Sequence, residues 1–135
     1  MTQIKEIQGD ICYDLYVAPI AGGSVGEVPG LVVPYNALIT AVKWVPSAAI
    51  TANGTNFFTL VLRNRTGAGA GAIQAATRAY SATNSAAHTA EAMTLSSTAT
   101  DLQLAANDVI TVQKTEGGSG LALPAGLVQV YLRAR

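Results

Sequence analysis

The sequence predicts an all-β chain, a single antiparallel β-sandwich or jelly roll of about eight strands with an extended N-terminal arm. Three observations predict it. Short apolar runs alternate with polar residues at a period of two, as a half-buried strand requires. Turn residues punctuate those runs at short intervals. No stretch carries the 3.6-residue periodicity of an amphipathic helix, which argues against βαβ architecture.

The totals set the scale. The chain has 135 residues, of which 50% are hydrophobic, 12% charged and 6% aromatic. That is one domain by length, and enough chain to bury a core without staples. Eight basic and eight acidic residues leave a formal net charge of zero, so the basic excess typical of nucleic-acid binders is missing. So lightly charged a surface is expected to be covered or oligomeric. Cys12 is the only cysteine; it has no disulfide or CxxC partner and reads as a small hydrophobe in a strand. The first residues, MTQIKEIQGD, hold no apolar run of signal-peptide length. No stretch approaches a membrane span. The expectation is synthesis in the cytoplasm, with neither nucleic acid nor membrane as a partner.

Residues 1–36 read either as an arm or as an edge strand plus loop, and residues 37–135 as the sandwich domain. Ile11, Tyr13, Leu15 and Val17 alternate with Cys12, Asp14 and Tyr16, a short strand. Pro19, Pro29 and Pro34 follow among glycines, and proline sits badly in a central strand. Residues 37–45, ALITAVKWV, form the first strong strand, with Leu38, Val42 and Trp44 on one face and Ile39, Ala41 and Val45 on the other. Both faces are mostly apolar, so this strand is expected to be central. Asn53-Gly54 is a turn signal. Residues 57–65 follow, with Phe58, Leu60 and Leu62 facing one way and Thr59, Arg63 and Arg65 the other.

Residues 65–92 are rich in Ala, Gly, Ser and Thr. The glycines and short polar side chains compete with helix, so a strand over residues 72–80 is preferred to a short helix. In residues 91–96, Met93 and Leu95 are expected to point inward, and Leu102 and Leu104 alternate around Gln103. Asn107-Asp108 turns the chain into Val109, Ile110, Thr111 and Val112, a β-branched run suited to a pleated surface. After a glycine-rich tip, Val128, Val130 and Leu132 alternate with Gln129, Tyr131 and Arg133 in a closing strand.

No catalytic, cofactor or metal constellation is predicted. His88 is the only histidine. Asp10, Asp14, Glu27, Asp101, Asp108 and Glu116 fall at predicted turns or strand ends, where carboxylates cap and bend the chain. The glycine runs lack the GK[ST] of a phosphate loop. Trp44 and the five tyrosines offer material for a sugar-stacking platform, although aromatics in strands are more often core. Arg63, Arg65, Arg133 and Arg135 offer material for a basic patch.

The phrases ITAVKWVPSAAITANGTNFFTLVLRNR and LAANDVITVQKTEGGSGLALPAGLVQVYLR carry a resemblance. The second places Asn107, Asp108 and Val109 at a strand start and Gly120, Leu121, Pro124 and Gly126 in a turn before the last strand. They resemble small structural proteins of tailed bacteriophages, the capsid decoration (cement) and head-fibre proteins. That resemblance implies a jelly-roll-like sandwich that assembles as a homotrimer. It implies a structural, non-enzymatic virion protein that binds the major capsid protein on the capsid exterior and stabilises the shell. Residues 1–36 match nothing in it and would be the variable arm. The expected contact residues are Val17, Pro19, Val28, Pro29, Val32, Pro34 and Tyr35 of the arm, with Arg63 and Arg65 of an exposed strand face. The alternative is a carbohydrate- or receptor-binding module of a phage fibre or tail, which would take a host-surface glycan.

Overall fold

The computed structural model describes residues 9–135; the part of the expected arm before Gly9 lies outside them. Ten strands follow in order: β1 (Ile11–Val17), β2 (Gly26–Val32), β3 (Ala37–Pro46), β4 (Phe57–Asn64), β5 (Ile73–Ala79), β6 (Glu91–Ala92), β7 (Thr94–Leu95), β8 (Gln103–Leu104), β9 (Val109–Gly117) and β10 (Gly126–Ala134). The only helical piece among these residues is a 3-10 turn, Ala99–Leu102. The strands form two five-stranded antiparallel sheets. One runs β1-β10-β3, with β6 and β8 both on the far edge of β3; the other runs β2-β9-β4-β5-β7. First strand pairs with last, second with next to last, and β3 with β8. This nested pairing, rolled so that β10 also meets β3 and β9 meets β4, is the jelly-roll winding.

The alternation read from sequence becomes the core. Val128, Val130 and Leu132 of β10 and Phe58, Leu60 and Leu62 of β4 are fully buried between the sheets, with Ile110 and Trp44. Each such side chain contributes roughly 1.5–3 kcal/mol by leaving water. Phe58 and Tyr80 stack with centroids 4.8 Å apart and planes tilted by 45°. Trp44 fits because its neighbour Gly126 has no side chain: a Cβ there would run into the indole ring. The turns use the expected residues. Asn53 Oδ1 accepts from the amides of Thr55 and Asn56, and Asn107 adopts φ 72° before β9. Residues 72–80 contain a strand, β5, rather than a helix.

Several local readings need correction. β3 is central, but Leu38 and Ile39 exchange faces. Ala41 pairs with Tyr131 and Ile39 with Leu132, so Thr40 is the extra residue of a bulge. Its hydroxyl donates to Asp10 Oδ2 at 2.5 Å. Ile39 is thereby turned inward and Leu38 left half-buried. Residues 91–96 are not one strand: Glu91–Ala92 belongs to the first sheet and Thr94–Leu95 to the second. Met93 is buried at the crossing, its amide donating to the Val42 carbonyl. Asp14 lies in the middle of β1 rather than at a turn or strand end, whereas Glu27 and Glu116 sit one residue inside the ends of β2 and β9. Cys12 lies in a strand but is exposed.

Candidate functional site

The two long edge strands lie on the same side of the sandwich. β1 borders the first sheet and β2 the second, and each has one strand neighbour among the described residues. They meet at Gly30, where an added Cβ would lie 2.9 Å from Leu15 Cδ1. Both edges span seven residues. The opposite side is closed by β6, β7 and β8, each of two residues. Short edges offer little backbone to pair with, whereas long ones invite another chain. β2 is blunted by Pro29, which has no N–H, and by a register shift between Pro29 and Leu31. β1 carries neither device.

Among the described residues, the exposed large hydrophobic side chains lie on these two strands and the segment between them. They are Tyr16, Val25, Val28 and Val32, at 70%, 69%, 38% and 59% exposure. Scattered apolar residues are ordinary on a surface; these four share the two long edge strands and their connection, with Tyr16 on the outer face of the first sheet and Val32 on that of the second.

The other expected contact residues divide. Val17 is buried in the core at 1% exposure and presents nothing to a partner. Pro29 and Pro34 are exposed on the β2 side. Pro19 is exposed and lines an apolar depression with Ile20, Leu123 and Pro124. Tyr35 is half-buried, its hydroxyl sharing a 3.3 Å hydrogen bond with that of Tyr13. Burial, with Tyr13 beside it, pushes the Tyr35 phenol up to about 12.

Arg63 and Arg65 lie on the outer face of the second sheet, and Glu27 takes both. Arg63 Nη1 is 3.3 Å and Arg65 Nε 3.2 Å from its carboxylate, which also accepts from the Thr111 hydroxyl at 2.6 Å. The Arg63 side chain is only 14% exposed. Arg133 lies on the other sheet, paired with Asp10 at 2.9 Å, so the arginines do not form one patch. The Thr40 hydroxyl first, and Arg133 after it, hold the Asp10 carboxyl below its usual range. Partial burial, then the Asp14 charge, raises the Cys12 thiol, which lowers its thiolate fraction. Trp44 has no exposure and offers no face to a sugar.

Sequence reading missed Lys114. Its side chain has no exposure and points between the sheets. Nζ donates to the carbonyls of Ala21 at 2.9 Å and Ser24 at 2.7 Å and pairs with Glu116. Glu116 in turn accepts from the Gly23 amide at 2.9 Å. The pair thus pins residues 18–25, which lead into β2, to the end of the sandwich. The signal was present: Ile110, Val112, Lys114 and Glu116 share the inward phase of one strand. Buried charges need partners, and here the partners are loop carbonyls.

Comparison with protein-family models, curated proteins and solved structures finds no match to this chain.

Proposed function

We propose that this chain is a structural, non-enzymatic virion protein that decorates the outside of a phage capsid and stiffens it by bridging major capsid subunits. The observation that carries the reading is the asymmetry of the sandwich. Long edges and exposed apolar side chains lie on the β1–β2 side, and the far side is closed by two-residue strands. A protein whose work is contact needs one adhesive side and otherwise inert surface. Docking would bury Tyr16, Val28 and Val32 and leave the β1 edge to pair with a partner strand. The resemblance of the β3–β4 and β9–β10 segments to decoration proteins adds the expectation of a homotrimer, which light scattering after size exclusion measures directly.

Deleting residues 1–36 is an unsuitable test, because it removes Leu15, Val17 and Val33 from the core. The test is co-sedimentation of the purified protein with undecorated shells of the phage that encodes it. The intact protein should pellet with shells and raise their disruption temperature. A Tyr16→Lys, Val28→Lys, Val32→Lys variant should stay folded and remain in the supernatant. Failure of the intact protein to bind overturns the reading.

A further inference from the structure

At the opposite edge of the second sheet the chain forms a cleft of about 470 Å3. β7 covers β5 for two residues only; Ser96 then donates its amide to the Ala75 carbonyl at 2.8 Å, and the chain turns away. The space left is lined by Gln74, Thr77, Thr94, Ser97 and Asp101, over a short apolar floor that includes Ile73 and Leu95.

Two of its polar groups, those of Ser96 and Asp101, are held before any ligand arrives. The Ser96 hydroxyl donates to Asp101 Oδ2 at 2.6 Å and accepts from the Thr98 amide at 3.2 Å. The Asp101 amide donates to the Thr98 carbonyl at 3.0 Å, which fixes the 3-10 turn. Asp101 is half-buried and the Gln74 side chain exposed, so a ligand can reach both. The cleft therefore offers a held carboxylate oxygen, a carboxamide and hydroxyls around a small apolar patch.

We infer that this cleft is a binding subsite for a neutral polyhydroxyl ligand, a pyranose unit of a saccharide. Adjacent sugar hydroxyls donate to a carboxylate in charge-assisted hydrogen bonds, and a carboxamide both donates and accepts. The C–H face of the ring covers the Ile73 and Leu95 side of the floor. No basic side chain lines the cleft, so it does not select an anion. A calcium ion takes six to eight oxygen ligands, and the cleft supplies a single carboxylate. No aromatic ring lines it either, which places a single sugar in the weak range, with Kd on the order of 1 mM. β2 and β7 are opposite edges of their sheet, so the cleft stays open when the β1–β2 side is occupied. The inference stands apart from the decoration reading.

The test is a backbone amide NMR titration of the intact protein with methyl α-D-glucopyranoside, methyl α-D-mannopyranoside and methyl β-D-galactopyranoside, and separately with calcium chloride. At least one glycoside should give saturable shifts confined to residues 74–77 and 94–101. Asp101→Asn and Gln74→Ala should each weaken that binding by about tenfold, the loss of one hydrogen bond to a charged or fixed polar group. Gln74 is exposed, so its variant keeps the test valid even where the Asp101 variant loses stability. Absence of saturable shifts with all three glycosides overturns the inference. Shifts that survive both substitutions, or a response to calcium alone, overturn it too.

Discussion

Lys114 Nζ lies 2.7 Å from the carbonyl oxygen of Ser24, a residue 90 positions away, and the lysine side chain has no contact with solvent. Replacing it with methionine leaves the Glu116 carboxylate and two loop carbonyls without their cation. Breaking a buried pair from one side costs about 3–5 kcal/mol. Lys114→Met should therefore unfold at much lower urea concentration than the parent. The double variant Lys114→Met, Glu116→Leu should recover part of that loss, because it removes the stranded carboxylate while the loop carbonyls and the Gly23 amide stay without their partners.

Glu27 holds Arg63 and Arg65 together on the second sheet. Glu27→Ala strands the largely buried Arg63 guanidinium and frees the Thr111 hydroxyl. The expected cost is about 2 kcal/mol in chemical denaturation, in the range for hydrogen bonds to charged groups. Because Arg63 is mostly covered, added salt should change that difference little.

Tyr35 makes the fold sensitive to alkali. Its phenol titrates at about 12 in the folded chain against 10.0 for the free group. The folded state thus holds its proton longer than the unfolded state. The contribution to stability is full below pH 10 and is lost as pH rises through 12. Tyr35→Phe should flatten the fall of thermal midpoint over that window; an unchanged slope would contradict the assignment.

Gly126 and Trp44 share one volume of the core. Gly126→Ala drives a methyl group into the indole and should cost roughly 1–3 kcal/mol, the usual range for overpacking. In the parent protein Trp44 fluorescence should resist a soluble quencher such as iodide. In the alanine variant the emission should shift as the ring is displaced.

Much of this fold was legible from residue order. The alternation of Val128, Val130 and Leu132, the β-branched run from Val109 to Val112, and the turns at Asn53 and Asn107 are local facts, since strand faces repeat every two residues. Exposure on the two long edges is legible in part: the residue pattern points to Val28 and Val32, passes over Tyr16 and Val25, and includes Val17, which is core. Alternation assigns a face, and it does not say which face a second sheet will cover.

The sequence by itself determined the strand periods, the turns and the two-sheet class, because these depend on neighbours within a few residues. Tertiary structure alone decided which strands became edges, because that depends on pairings such as β1 with β10 across the whole chain. It decided the bulge at Thr40, which turns Ile39 into the core in place of Leu38. It brought Glu27 to Arg63 and Arg65 across two strand pairings. It made Lys114 tolerable in the interior, because only the folded chain carries the Ala21 and Ser24 carbonyls to its ammonium. A buried charge is stable only where distant backbone supplies the partners that water supplied before folding.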